Sequence, residues 1–406
     1  MALCASRTFS TFIFMAYAAS LPVLRTEWSM SATAAGSIST GFQLGYAVSL
    51  VGFSWLADRF GARRVFLGSA WLSAGAALAF ALYARSYISA LVLYTLVALT
   101  LGGTYTPAIM LIADRYPPER RGAAVGWLIA SSSLGYALSL LVTGLTLAWG
   151  GYALSFLVAA SGPLVSIVIA VLALRSTPDV VHPRRAGVRF GTAVLRNAGA
   201  MRVILGYTFH NWELWGMWVW APAFVAATFA ASGSSAVRAV ELGAYVSASF
   251  HVMGLLASSS MGRLSDRLGR RAVLLTLATT SATCSLVFGW LIGQPAAIVF
   301  MVGALYGFAA LGDSPVLSTA LTEAVSAPYL GAALGLRSFL GFGASALAPL
   351  VFGAVLDATN PPGAAPTIWG WAFLSLGVGG WAAVGCAYGL SRTPALASVT
   401  TEPRQR

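Results

Sequence analysis

Five residues that can ionise lie inside long apolar segments of the second half of the chain: His210, Glu213, His251, Asp313 and Arg337. Charged groups are costly in apolar surroundings, so they usually serve a function there. A carboxylate between apolar helices can take up and release protons, and an arginine binds carboxylates through paired hydrogen bonds. We expect Glu213 to couple protons, because its nearest partner, His210, lies one helical turn away and stabilises its charge only weakly.

Asp313 and Arg337 occupy similar depths on neighbouring apolar segments, which predicts an ion pair that either binds a solute or is static. Pro315 follows Asp313 and can break the helix, because proline lacks a backbone donor. His251 shares a helical face with Ser247, so it either binds solute or packs in the interior.

Neutral polar residues on the apolar segments of the first half complete the expected solute cavity, because they can hydrogen-bond a solute without adding charge. They are Tyr17, Gln43, Tyr46, Thr104, Tyr105 and Tyr136.

Charged residues make up only 9% of the 406 residues, whereas 58% are hydrophobic, and the mean hydropathy is +0.79. These values exclude an ordinary soluble enzyme and a disordered protein, because too much apolar surface would face water. All 24 basic residues are arginine, which excludes enzymes that depend on a catalytic or phosphate-binding lysine. Three cysteines without metal-ligand spacing predict no metal, no cofactor and no disulfide framework.

The sequence predicts an all-α membrane protein of twelve transmembrane helices, because its apolar segments are about 20 residues long. The segments are 8–24, 34–56, 65–84, 87–111, 122–147, 152–174, 203–229, 239–260, 272–292, 296–321, 331–356 and 367–390. A polar stretch separates the sixth from the seventh. We therefore expect a six-helix bundle over 1–174, a linker over 175–202, a second bundle over 203–390 and a disordered tail over 391–406.

Arginines concentrate in alternate loops, and 20 of the 24 lie on one side if Arg7 is counted in the N-terminal tail. Such loops stay in the cytoplasm, which predicts cytoplasmic termini and a cytoplasmic linker in a plasma (inner) membrane protein. The net charge of +12 does not indicate a nucleic-acid partner, because the arginines punctuate apolar segments.

The chain contains an internal repeat at an offset of 208 residues: Asp58-Arg59 and Gly61 recur as Asp266-Arg267 and Gly269, each after the second segment of its half. The same offset relates Pro107 to Pro315. Duplicated halves are one way to build an alternating-access carrier.

The repeated loop resembles the signature Gly-x-x-x-Asp-Arg-x-Gly-x-Arg-Arg of the major facilitator superfamily. The second copy matches it from Gly262 onward, whereas the first copy has Ser54 in place of the first glycine. The resemblance covers the whole chain and implies two pseudo-symmetric six-helix bundles, a monomer and a gate at the cytoplasmic mouth. The residues assigned to that gate are Asp58, Arg59, Gly61, Arg63, Glu119, Arg121, Gly262, Asp266, Arg267, Gly269, Arg271 and Glu323.

We expect a secondary transporter, not an enzyme, that moves a small organic solute by alternating access with protons as partners. Arg337 and the histidines favour an organic anion, whereas the tryptophans near Glu213 favour an aromatic or cationic compound exported as a drug antiporter would. A membrane sensor that has lost transport is a further alternative.

Overall fold

The computed structural model describes residues 1–181, 194–325, 327–361, 365 and 367–391, and within them it leaves the side chains of 118–123, 327–329, 331 and 332 aside. The regular elements of this part are all helical. The helices are Ala2–Ser10 and Ala16–Glu27 (span one), Ala32–Phe60 (two), Ala62–Tyr83 (three), Tyr87–Leu101 and Thr106–Arg115 (four), Pro118–Leu174 (five and six), Ala198–Ala231 (seven), Ala236–Leu268 (eight), Arg270–Phe288 (nine), Ala296–Ala324 (ten), Ala327–Thr359 (eleven) and Gly370–Tyr388 (twelve).

Every predicted span corresponds to a helix in the part of the chain that the structure describes. Ten helical segments are long and apolar enough to cross a membrane, and one of them, Ala124–Leu174, contains two predicted spans. It reverses at Gly150 and Gly151, whose backbone angles are not helical. Span two is not among the ten. It is 29 residues long, so its length suffices, but polar residues interrupt its apolar sequence. The protein is thus an all-α, multi-pass integral membrane protein.

The helices of spans four and ten differ in continuity. Span ten continues through Pro315, the proline that the sequence offers as a possible break. Span four contains the break instead, as a 3-10 turn over Gly102–Thr104. A Cβ on Gly102 would lie 2.4 Å from Oγ of Ser49, so glycine lets span four pack closely against span two.

The two repeated loops have the same backbone form. Gly61 has φ +91° and ψ 142°, and Gly269 has φ +86° and ψ 146°. Only glycine adopts such a positive φ readily, so each glycine ends one span and lets the next one begin immediately. The loops mark what we call the arginine-rich end of the bundle.

The two halves contact each other near the opposite end. Asp357 of span eleven accepts hydrogen bonds from the backbone of Ala32 at 2.8 Å and of Thr33 at 2.7 Å. A Cβ on Gly36 of span two would lie 2.3 Å from the carbonyl oxygen of Pro349. Spans two and eleven therefore close this end of the interface between the halves.

Candidate functional site

Arg7 is buried in span one, where it is 3% exposed. Its Nε donates to Oγ of Ser132 at 2.8 Å, Nη1 donates to Oγ1 of Thr104 at 3.1 Å, and Nη2 donates to the hydroxyl of Tyr46 at 3.4 Å. The guanidinium carbon lies 4.9 Å from the centre of the Tyr105 ring. All of these partners are neutral, so no carboxylate offsets this charge within the described residues.

Arg7 lies within a helix and is buried, so the expectation that it belongs to the cytoplasmic tail is wrong. The first helix begins at Ala2, six residues before the predicted start of span one. The Ser6 hydroxyl lies 2.9 Å from that of Ser166, and Thr8 donates to the carbonyl of Ser131, so polar neighbours bind this segment to spans five and six. Because the stretch is short and polar, hydropathy alone does not recognise it as part of a span.

Arg337 of span eleven is half-buried on the other side of the interface. Its Nη1 donates to Oγ of Ser318 at 2.8 Å, and its guanidinium carbon lies 4.3 Å from the centre of the Tyr207 ring. Its Nε is buried and has no hydrogen-bond partner in the described part of the chain. This arginine therefore keeps a free donor.

The predicted Asp313–Arg337 ion pair does not form. Oδ1 of Asp313 instead lies 2.9 Å from Nδ1 of His210 on span seven. Asp313 and Ser318, the residue that Arg337 does contact, are five positions apart, so they point about 140° apart around span ten. Asp313 therefore faces the interior of its own half, whereas Ser318 faces span eleven.

Tyr105 connects the two arginines. Its phenol lies within electrostatic range of both Arg7 and Arg337, and also of Tyr207. Tyr105, Tyr207 and Arg337 are half-buried. We call the group of Arg7, Thr104, Tyr105, Tyr207, Ser318 and Arg337 the arginine cleft. It contains residues of spans one, four, seven, ten and eleven, and its charged groups are both cations.

Aromatic side chains close the cleft on the side away from the arginine-rich end. Pairs cross between the halves: the ring centres of Phe14 and Trp215 are 6.3 Å apart, and those of Tyr46 and Phe342 are 5.6 Å apart. Tyr136 similarly contacts Trp218 at 5.6 Å and His251 at 5.7 Å. These contacts form an apolar layer that a planar solute would meet next to the arginines.

His251, predicted to bind solute or to pack, lies in this aromatic layer. It is 2% exposed, and its ring centre is 4.6 Å from that of Trp218. Nδ1 of His251 has no hydrogen-bond partner within the described residues.

The structure does not bring Tyr17 and Gln43 to the arginine cleft. The Tyr17 hydroxyl donates to the carbonyl of Ala35 at 2.9 Å, which is a packing role. Oε1 of Gln43 has no partner in the described part of the chain, and both side chains line a separate small cavity beside Phe42 and Trp215. Thr104, Tyr46 and Tyr136, in contrast, lie at the cleft or in its aromatic layer.

Glu213 is on span seven, but its side chain points toward span nine and away from the arginine cleft. Its Oε1 accepts a hydrogen bond from Ser285 of span nine at 2.6 Å, and the Ser285 hydroxyl also contacts that of Tyr306. Glu213 and Tyr207 are six positions apart, so they point about 120° apart around span seven. The expectation that Glu213 lines the solute cavity therefore does not match its position, and its role in proton coupling stays a prediction.

At the arginine-rich end, the second repeat forms a charged network around Arg270. Arg270 contacts Asp266 at 2.6 Å and Glu323 of span ten at 2.9 Å, and Nη1 also reaches the Gly262 carbonyl at 3.5 Å. Arg271, and not Arg270, is among the residues expected at the gate. Arg271 donates instead to the carbonyl of Tyr388, because it points one residue further around span nine.

The first repeat is connected differently. Arg63 donates to the carbonyl of Leu174, and Arg64 forms an ion pair with Asp179 at 3.0 Å, beyond the end of span six. Asp58 has no ion pair or hydrogen bond within the part of the chain that the structure describes, and Arg59 contacts the ring of Trp55.

The remaining gate assignments are not decided by these contacts. Arg267 is exposed. The side chains of Glu119 and Arg121 lie outside the described part of the structure.

Known proteins resemble this chain in sequence and in fold. The family model described as Major Facilitator Superfamily matches residues 3–257. The probable 4-methylmuconolactone transporter of Cupriavidus pinatubonensis is 25% identical over 321 residues, which cover 75% of this chain and 70% of that protein. The cis,cis-muconate transport protein of Acinetobacter baylyi is 24% identical over 358 residues, which cover 82% and 81% of the two chains.

A solved structure of the nucleoside transporter NupG superposes with a TM-score of 0.75 over 95% of this chain and 97% of that one. Its sequence is only 12% identical, so this likeness shows the fold alone.

Proposed function

The chain belongs to the major facilitator superfamily and is a secondary transporter of small organic solutes rather than an enzyme, and we propose that its solutes are organic anions bound in the arginine cleft. The observation that carries this proposal is the burial of Arg7 among neutral partners. A charged arginine inside an apolar bundle is costly when no opposite charge offsets it. A carboxylate ligand would offset that cost and supply charge-assisted hydrogen bonds.

The cleft favours a carboxylate on a flat, unsaturated or aromatic framework. Arg7 and Arg337 can each bind a carboxylate oxygen, while Tyr105 and Tyr207 offer ring faces between them. The aromatic layer beyond them suits a planar framework better than a highly hydroxylated one. A cationic drug fits less well, because Glu213, the carboxylate expected to attract it, faces Ser285 instead.

Transport in the proposed form is alternating access coupled to protons. Contacts such as Asp357 with Thr33 close the end of the interface that lies opposite the arginine-rich end. We assign the arginine-rich end, both termini and the linker to the cytoplasm of an inner-membrane protein, because arginine-rich loops resist translocation. The proposed transporter acts as a monomer, with bundles over 1–174 and 203–390 joined by the linker over 175–202.

Uptake into proteoliposomes tests the substrate class. Labelled cis,cis-muconate and benzoate represent dicarboxylates and aromatic monocarboxylates, and uridine is the uncharged control. We expect uptake of at least one carboxylate, no uptake of uridine, and loss of carboxylate uptake in Arg7→Gln. Uptake of uridine without either carboxylate would contradict the proposal.

Cysteine labelling in intact cells tests the orientation. A cysteine at Ser234, between spans seven and eight, should react with an impermeant reagent, whereas one at Ser176, after span six, should not. The reverse pattern would place the arginine-rich end outside.

A further inference from the structure

The small cavity beside Phe42 lies at the interface between the two halves. Phe14 of span one, Gln43 of span two and Trp215 of span seven all line it, so both bundles contribute. Every lining residue is uncharged, and most are aromatic or aliphatic. The cavity admits a group about as large as a water molecule. It therefore suits a small neutral substituent of a ligand rather than a whole solute.

Gln43 gives this cavity an unused hydrogen-bond acceptor. Its side chain is 3% exposed, and Oε1 is buried without a partner among the described residues. Tyr17 and Tyr94 also line the cavity, but each donates its hydroxyl proton to a backbone carbonyl. A buried acceptor without a partner destabilises the fold, so a ligand that donates a hydrogen bond to Gln43 would offset that cost.

A hydroxyl group matches the Gln43 amide better than other small substituents do. Because a hydroxyl both donates and accepts, it can pair with the amide oxygen or with the amide nitrogen. A carboxylate only accepts and needs a cation, whereas the residues that line the cavity are uncharged. A methyl group would leave Oε1 unpaired. The chemistry of the cavity thus points to a neutral hydroxyl.

Phe14 separates the cavity from the arginine cleft. Its ring lines the cavity and lies 5.4 Å from the ring of Tyr46, whose hydroxyl contacts Arg7. Gln43 and Tyr46 are three positions apart on span two, so Gln43 lies about 4.5 Å further along the axis toward the closed end. A planar solute that binds Arg7 and takes the position of the Phe14 ring would direct a substituent toward Gln43.

The backbone near Phe14 is irregular, which lets its ring shift. Phe14 and Met15 lie between the 3-10 turn Thr11–Ile13 and the helix Ala16–Glu27. The Phe14 carbonyl accepts a hydrogen bond from the Tyr94 hydroxyl at 2.6 Å. Irregular backbone is tolerated at membrane depth where it is buried in protein or lines a cavity. A small change at this break can therefore move Phe14 without disrupting a continuous helix.

We propose that Gln43 is a specificity-determining residue whose amide binds a hydroxyl substituent of the solute while Arg7 binds the carboxylate. The transporter then selects hydroxy-substituted planar carboxylates over unsubstituted ones, because a solute without the hydroxyl leaves the amide unpaired. This inference rests on the proposed function, since it narrows the substrate class assigned to the arginine cleft.

Equilibrium dialysis of the full-length protein tests the selectivity, with labelled benzoate and its ortho-, meta- and para-hydroxy derivatives as probes. At least one hydroxybenzoate should bind about tenfold more tightly than benzoate. Gln43→Met has a similar length but no amide, so it should lose this preference. Gln294→Met, at an exposed position, is the matched control and should keep it. Equal affinity of the wild-type protein for benzoate and for every hydroxybenzoate would overturn the proposal.

Thermal unfolding without solute separates a binding role of Gln43 from a structural one. Gln43→Met should keep or raise the Tm, because an apolar side chain of similar shape replaces a buried acceptor that has no partner. A lower Tm than in Gln294→Met, or failure to fold, would show that Gln43 supports the fold and would overturn the proposal.

A phenol without a carboxylate tests the hydroxyl site independently of the arginines. Binding of para-fluorophenol, followed by fluorine NMR with fluorobenzene as the control ligand, should weaken at least about fivefold in Gln43→Met but not in Gln294→Met. Equal binding in the two variants would overturn the hydroxyl site. If para-fluorophenol binding depends on Gln43 but no benzoate binds, the carboxylate assignment of the cleft fails and the hydroxyl site stands.

Discussion

The two halves of the protein bury opposite charges at their centres. The first half holds Arg7 with hydroxyl partners, and the second half holds Glu213 and Asp313 with Ser285 and His210 as partners. The second half also supplies Arg337, which is half-buried at the interface. The repeat that duplicated the loops therefore did not duplicate the charged groups of the interior.

The largest effect that would sharpen this comparison concerns Arg7. Arg7→Gln should weaken carboxylate binding about 100-fold, which corresponds to about 2.7 kcal/mol, because the variant removes the buried charge but keeps a polar side chain. Binding is measured by equilibrium dialysis with labelled cis,cis-muconate. Arg85→Gln is the control, since Arg85 donates to the carbonyl of Ala81 away from the cleft. Unchanged affinity in Arg7→Gln would break the comparison.

A smaller loss is expected at Arg337. Arg337→Gln should raise the KM of carboxylate uptake about tenfold, because this arginine is half-buried and better hydrated, and its charge is therefore worth less. Initial uptake rates over a range of solute concentrations give the KM. A larger loss of carboxylate affinity in Arg337→Gln than in Arg7→Gln, measured for both by equilibrium dialysis, would make the second half the main binding half.

The repeated loops should respond unequally, although their sequences match. Asp266→Asn should slow uptake several-fold, because it removes one of the two carboxylates that hold Arg270 at the arginine-rich end. Asp58→Asn should have less effect in this conformation, because Asp58 has no partner in the part of the chain that the structure describes. Turnover numbers of the two variants provide the test, and a slower Asp58→Asn would show that its partners form only in another conformation.

The smallest expected effect concerns the closed end of the interface. Asp357→Asn should weaken the contact with Ala32 and Thr33 and increase labelling of a cysteine at Ser37 about twofold, because one partner of a charge-assisted contact becomes neutral. Unchanged labelling at Ser37 would mean that packing of Gly36 against Pro349 closes this end by itself.

The sequence by itself determined the membrane setting, the all-helical fold and the repeat. A chain that crosses a membrane needs apolar segments of spanning length between arginine-rich loops, and both can be read from the sequence. Gly61 and Gly269 recur because only glycine readily adopts their backbone angles. Thr104, Tyr105 and Arg337 were assigned to the solute cavity because polar groups inside apolar segments stand out. They lie near the interface between the halves, and their contact with solute stays a prediction.

Only the tertiary structure decided how the ionisable residues pair. Periodicity shows which residues share a helical face, but not which neighbouring span that face meets, so Asp313 was paired with Arg337 instead of His210. Arg7 was missed because a polar segment near the terminus becomes part of a span only when Ser132 and Thr104 of other spans accept its hydrogen bonds. Pairing between spans depends on packing of the whole bundle, and that information is absent from any single segment.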